Sequence, residues 1–473
     1  MSRTSSILLL AAAGLAALFA VLPAQEPQPG EIVVGKTVKK RGSFVTVLDF
    51  GAVGDGKTDD TAAIQAIIDA KAGSIRFPAG SYRISKPLVV ELNKVGFTSF
   101  VADGSARLIM AGAGPAIRFV GTHLTGSADP DSVRPEVWER ERMPTVEGLG
   151  ITGEHAEADG VEAIGTFQLT LRGVHIRKCR HGVRLVQRNR NILIDGCHIY
   201  ENSGCGVLYD HVNLHQSNIS ASHISYCAGG GVVVRGGDVR NIHISGCDIE
   251  GNMTQSGPPT ANVLLDCAEG SVGEVAITGC TIQHTKNAPD SANIRILGNG
   301  SVMRRGQPMA IKSGNVTIGD NVLSDVQKNI HLVGVRGATI TGNTFWQGYE
   351  QNLLVEDSDH ILVGPNMMER NPLYGYTSEG KDSVVLRNCR DCTIQGLHLH
   401  HVIDSEAGLT IEKCHRIHLV GCTILDCDNV GLLIKNSNHV HYDTCLIAND
   451  REGAKSVHLR IVDAGGNIIE ERK

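Results

Sequence analysis

The chain has no excess of either charge: 44 Lys and Arg stand against 50 Asp and Glu in 473 residues, a net charge of −6. That balance excludes a broad nucleic-acid surface, which needs a basic stripe to displace counterions. After Leu22 no apolar run approaches spanning length, which excludes a chain that crosses a membrane repeatedly by helices. Cys389-Arg390-Asp391-Cys392 has ligand-like spacing but no second cysteine pair accompanies it, so a four-ligand zinc site is not expected. A βαβ succession is also missing, and with it the parallel α/β nucleotide folds.

What the chain has is repetition. Ile194-Asp195-Gly196-Cys197-His198-Ile199 reads as apolar, any, Gly, small, any, apolar. The phrase returns around Gly148, Gly173, Gly196, Ala221, Gly246, Gly279, Asp320, Gly342, Gly364, Gly396, Gly421 and Thr444. Most neighbours lie roughly 22–25 residues apart, the signature of stacked supersecondary units. Each unit holds three short alternating runs, such as Ile192-Leu193-Ile194, Cys197-His198-Ile199 and Val207-Leu208-Tyr209. Runs this short bury a face only by stacking on their neighbours. The expected fold is therefore all-β: a right-handed parallel β-helix of about a dozen three-stranded coils. Gly numbers 55, above the usual ~7%, as many corners require. A solenoid core grows along one axis, so residues 43–473 are read as one domain.

The first 24 residues read as a secretory signal peptide, with Arg3, an apolar Ile7–Leu22 and a small-residue site at Leu22-Pro23-Ala24. Residues 25–42 are a polar linker. The expectation is a secreted or periplasmic protein with no stable membrane anchor after processing. Export would place 13 cysteines in an oxidising space. Yet Cys197, Cys247, Cys280, Cys422 and Cys445 fill the slot that Asn321 and Asn343 hold in other coils, and Cys389 shares a second slot with Cys414. These are read as inward ladder positions filled by a small buriable residue, with disulfides such as Cys422 to Cys445 as the alternative.

Gly51 to Thr58, between a strand and a helix, matches G-x-x-x-x-G-K-T. Asp59 and Asp60 then open the helix where a phosphate would sit, and two carboxylates repel it. The structural reading is a cap: Asp59 as N-cap, with Ile64, Ile67 and Ile68 on one face covering the open end of the first coil. No nucleotide is expected.

The stretch LDFGAVGDGKTDDTAAIQAIIDA, followed by IRFPAGSYRI, resembles the N-terminal signature of the pectate lyase superfamily, shared by polygalacturonase-like β-helices and phage tailspikes. The resemblance covers Leu48 to Ile84, with a cap over 43–84, and implies the same fold. It does not carry over a chemistry. The Asn-Thr-Asp, Asp-Asp and Gly-His-Gly motifs of the polygalacturonases are absent from the repeated coils. β-Helices of this kind occur as monomers and as homotrimers, and both stay open here.

Aligned coils place His175, His198, His223, Asp248 and Thr281 in one outward column. Two residues further, again outward, stand Arg177, Tyr200, Ser225, Glu250 and Gln283. The resemblance implies that such a sheet lines a polysaccharide cleft. Three sequences flank it as insertions: Ser127–Thr145 with Trp138, Met253–Ala261 and His284–Ala292. Two chemistries suit the patch. Asp248 and Glu250 form the carboxylate pair a glycosidase needs. A uronate lyase needs a cation, a base and an acid, roles that Arg177, His198 or His223, and Tyr200 fill. His175, Arg177 and Trp138 are the expected substrate contacts. Neither chemistry requires a cofactor, and a divalent cation such as calcium is compatible with both. The expected function is an exported hydrolase or lyase on an acidic glycan, with a non-catalytic carbohydrate-binding or surface-structural solenoid as the alternative. A second cluster, His398, His400, His401 and Asp404, lies opposite the insertion Glu369–Lys381 with Tyr374 and Tyr376.

Overall fold

At the third position of the repeated phrase the backbone turns left-handed. Gly196 has φ +59°, and eleven of the twelve phrase positions occupy this region, including Ala221, Asp320 and Thr444; Gly364 is the exception. Glycine enters this region without steric cost, whereas a Cβ costs about 1–2 kcal/mol. The Gly rhythm of the sequence is thus a rhythm of corners.

The computed structural model describes residues 45–374, 379–453 and 456–473, with the backbone of Glu31–Val34 and Thr37–Lys40. The leader lies outside the described residues. Within residues 25–42, Glu31–Val34 pairs antiparallel with Thr37–Lys40, in a unit (Met1–Ser43) separate from the compact unit Phe44–Lys473.

The corners divide each coil between two parallel sheets. A narrow sheet of 15 short strands runs from Asp55–Asp59 to Leu446–Ala448, and a sheet of 26 strands wraps the other two faces. In one coil, His198–Tyr200 belongs to the narrow sheet. Cys205–Ser220 then supplies both other faces, turning at His211 and Gln216, both with positive φ. Twelve narrow strands follow the phrase. Three more, Asp55–Asp59, Gly80–Ile84 and Ala106–Met110, precede it. The core is a stack: Ile176, Ile199, Ile224, Ile249 and Ile282 occupy the middle of successive narrow strands and are fully buried. Each such side chain contributes about 1.5–3 kcal/mol by leaving water.

The small-residue slot closes the corners with hydrogen bonds. The Cys197 amide donates to Ser222 Oγ (3.1 Å), the Cys280 amide to Asn321 Oδ1 (2.9 Å), and the Asn321 amide to Asn343 Oδ1 (3.0 Å). All 13 cysteines are free thiols and all but Cys445 are buried. Cys422 and Cys445 both sit in the ladder as thiols.

The first coil is covered by a helix, Thr61–Asp69, with Ile64, Ile67 and Ile68 buried. Gln65 pairs with both the amide and the carbonyl of Val89, at 2.9 and 3.0 Å, so the helix also satisfies a strand edge. The N-cap is Asp60 rather than Asp59. Asp60 is buried and accepts from the Val53 and Gly54 amides at 2.7 and 3.0 Å. Asp55 accepts from the Lys57 and Thr58 amides. The amides of the phosphate-loop look-alike are thus engaged by the chain's own carboxylates. At the other end, Ile468–Arg472 pairs antiparallel with Val457–Val462.

Candidate functional site

The narrow sheet brings the two columns together in register. His175 pairs with His198, His198 with His223 and His223 with Asp248, while Arg177, Tyr200, Ser225 and Glu250 align beside them. Each position is outward because the intervening isoleucine points in. The His198 and His223 rings meet edge to face with centroids 5.0 Å apart. The Tyr200 hydroxyl lies 3.3 Å from His223 Nδ1. Glu250 accepts from Tyr226 (3.3 Å) and from Gln283 (3.1 Å).

Burial and neighbours tune the two ends of the column oppositely. Asp248 has its pKa raised, first by burial and then by the Glu250 charge. His175 has its pKa lowered, first by burial and then by His198 and Arg177. Both shifts favour the neutral form of the group. Ser225 is wholly buried and its hydroxyl has no hydrogen-bond partner. It lies between Tyr200 and Glu250 in the second column.

Two expected contacts are placed differently. Arg177 is committed to a salt bridge: its Nε and Nη2 both reach Glu201 Oε2, at 2.9 and 2.8 Å. Glu201, at a corner with φ +50°, was missed because it falls outside both columns. Trp138 packs edge-on against Phe167, with centroids 4.8 Å apart, beside Val133 and Val137. Its insertion leaves Gly114–Val120 and rejoins Thr145–Glu147, both in the 26-stranded sheet. Trp138 is therefore packed as a loop anchor, away from the narrow sheet.

The other insertions do flank the patch. Met253–Ala261 and His284–Ala292 follow directly on the Asp248–Glu250 and Thr281–Gln283 strands. Lys286 of the second bonds Glu379 at 2.7 Å, joining it to the insertion Glu369–Lys381. Tyr376 lies outside the described residues, as does the Tyr374 side chain. His400 reaches Asp426 at 3.4 Å, and its ring meets that of His401 at 63°. Grooves open on the narrow sheet at both ends of the patch. One ends at His175 and runs over Gly150 and Arg107. The other lies over Val322, Thr344, Trp346 and Met367. Trp346 was missed although it occupies the second column; the indole directly after Phe345 was the available signal.

Three family profiles match successive stretches. Residues 44–132 match "Rhamnogalacturonase A/epimerase, pectate lyase-like". Residues 140–262 match "Right handed beta helix region", and residues 266–451 match "Periplasmic copper-binding protein (NosD)". Mannuronan C5-epimerase AlgE3 of Azotobacter vinelandii is 60% identical over 43 residues, 8% of this chain and 2% of that protein. Alginate lyase 7 of the same organism is 60% identical over 43 residues, 8% of this chain and 5% of its own length. The chain thus spans only a small part of these relatives. Tailspike protein 3 of bacteriophage CBA120 superposes with TM-score 0.52 at 13% identity, over 93% of this chain and 65% of that one. Corner by corner the chain is a right-handed parallel β-helix protein, and the stretch that carries its first-coil helix is similar to pectate lyase-like proteins.

Proposed function

We propose that the protein is an exported enzyme acting on an acidic polysaccharide at the His198–Tyr200–His223–Asp248–Glu250 patch. The observation that carries this is the Tyr200–His223 contact beside a carboxyl group whose pKa burial raises. In a lyase reaction a base removes the proton α to the uronate carboxyl, and an acid protonates the departing glycosidic oxygen. His223 and Tyr200 are the acid–base couple. Arg177 is engaged by Glu201, and Asp248, whose pKa is raised by burial and then by Glu250, stands next to His223 in the column. Relatives named as a mannuronan C5-epimerase and an alginate lyase share short stretches with this chain, and both names denote uronate polymers. Export rests on the leader sequence, Met1 to Ala24.

One observation favours a second reading, glycoside hydrolysis. Asp248 and Glu250 alternate on one strand, about 7 Å apart along the chain. Asp248 has its pKa raised by burial and then by Glu250, while Glu250 accepts two hydrogen bonds. That division gives an acid and a base or nucleophile. Among the described residues no group of three or more His, Cys, Asp or Glu side chains is arranged to hold a metal ion.

The test is incubation with mannuronan, polygalacturonate and neutral controls. Unsaturated uronate, read by ultraviolet absorbance, is the expected product. His223→Ala and Asp248→Ala should abolish it while the melting temperature stays nearly constant. New reducing ends without that absorbance assign the reaction to the carboxylate pair. Binding without either product makes the protein a carbohydrate-binding solenoid and overturns the catalytic proposal.

A further inference from the structure

We infer that the groove over Val322, Thr344, Trp346 and Met367 is a remote subsite for the same glycan chain, taking one pyranose unit by its apolar face. The inference rests on the proposed carbohydrate function and adds a substrate requirement: the glycan must be long enough to reach both places.

Three observations support it. First, the groove holds about 380 Å³ and has Glu369 and Asn371 beside Trp346. That volume suits a small-molecule-sized unit, whereas a protein partner covers about 800 Å² per side. Second, its chemistry is that of a sugar. Val322 and Met367 are exposed to 42% and 44%, and with the indole they offer an apolar floor. Glu369, Asn371 and Thr344 offer polar groups beside it. A pyranose presents C–H faces bordered by hydroxyls, the same division.

Third, the groove continues the patch without a break. Asp248, Thr281, Val322 and Thr344 are consecutive register partners in the first column. In the second, Gln283 donates to Glu250 (3.1 Å) and the Ser324 hydroxyl donates to Gln283 Oε1 (3.4 Å), and Trp346 follows Ser324. Three coil steps separate Asp248 from Thr344, about 14 Å at the parallel-strand spacing. One step is of the order of one sugar along an extended chain. Lys286 and Glu379, which bond at 2.7 Å, belong to insertions that leave the chain beside this stretch.

The chain has two tryptophans, and Trp138 is a loop anchor, so Trp138→Phe leaves Trp346 as the sole indole reporter. An array of acidic and neutral polysaccharides identifies the best-bound polymer, from which dimer to octamer are prepared. The octamer should change the Trp346 fluorescence and the dimer should not. Trp346→Ala should weaken octamer binding roughly fivefold or more, the scale of one lost aromatic contact, and leave dimer binding unchanged. Trp346→Phe should recover most of the loss, which a folding defect would not allow. Equal octamer binding by wild type and Trp346→Ala overturns the subsite, as does equal weakening for all lengths. If Asp248→Asn still abolishes turnover in that case, the function stands without the subsite. Failure of every polysaccharide to bind removes the function and the subsite together.

Discussion

Asp248 shows how one side chain ties stability to pH. Its pKa is raised by burial and then by Glu250, so its ionised form is less favoured in the fold than in the unfolded chain. A carboxyl of this kind costs stability above its unfolded pKa, near 3.9, and the cost vanishes as pH falls below that value. Asp248→Asn should therefore raise the melting temperature at neutral pH, with the gain disappearing below about pH 4. Glu250→Gln should lower the Asp248 pKa by removing the like charge. Calorimetry across pH and carboxyl-carbon NMR read the two effects; a destabilising Asp248→Asn at pH 7 would contradict the assignment. Residue identity alone made the column legible, since the period of two fixes which side chains point outward. It did not reveal which partner each charge would take. Arg177 in sequence is a free cation; in the fold a corner residue one coil on, Glu201, claims it.

At the level of elements, the corner ladder was the most legible part of the chain. The exchange of Cys for Asn in one slot announced a buried position for a small residue; the structure adds that the slot accepts a neighbouring amide hydrogen. Cys247 illustrates it: its Sγ lies 3.4 Å from the Ser245 carbonyl, and its amide meets Cys280 Sγ at 3.4 Å. Cys247→Asp would bury a carboxylate among carbonyl oxygens and should destabilise by several kcal/mol. Cys247→Ser should be far milder, because a hydroxyl both accepts and donates. Denaturant unfolding compares the two, and equal losses would mean that volume, not polarity, rules the slot. Other elements were less legible for physical reasons. The three narrow strands before Gly148 lack the phrase because their corners are built from different loops. The antiparallel pair Asn299–Arg304 and Gln307–Lys312 turns at Arg305-Gly306, a signal masked by the long interval in which it sits. The side on which Ser127–Thr145 emerges depends on which corner it replaces, and repeat spacing does not say.

For the whole molecule, stacking makes position along the axis a matter of counting coils. Between the Val322 and Met367 strands the register runs through Thr344 without a shift, and Asn321, Asn343 and Asn366 pass the same amide bond along. Such a stretch accepts a duplicated unit with little strain, because repeat stability is set by nearest neighbours. The distance between the Asp248 patch and Trp346 is then a ruler graduated in coils. Inserting one copy of Asp320–Thr341 would move the indole outward by one graduation, about 4.8 Å. The shortest oligosaccharide that feels Trp346 should lengthen by one sugar, which chain-length-resolved binding measures directly. An unchanged minimum length would mean that the two places do not share a ligand. A glycan held at both places would have its minimum length set as an integer by the backbone that carries them.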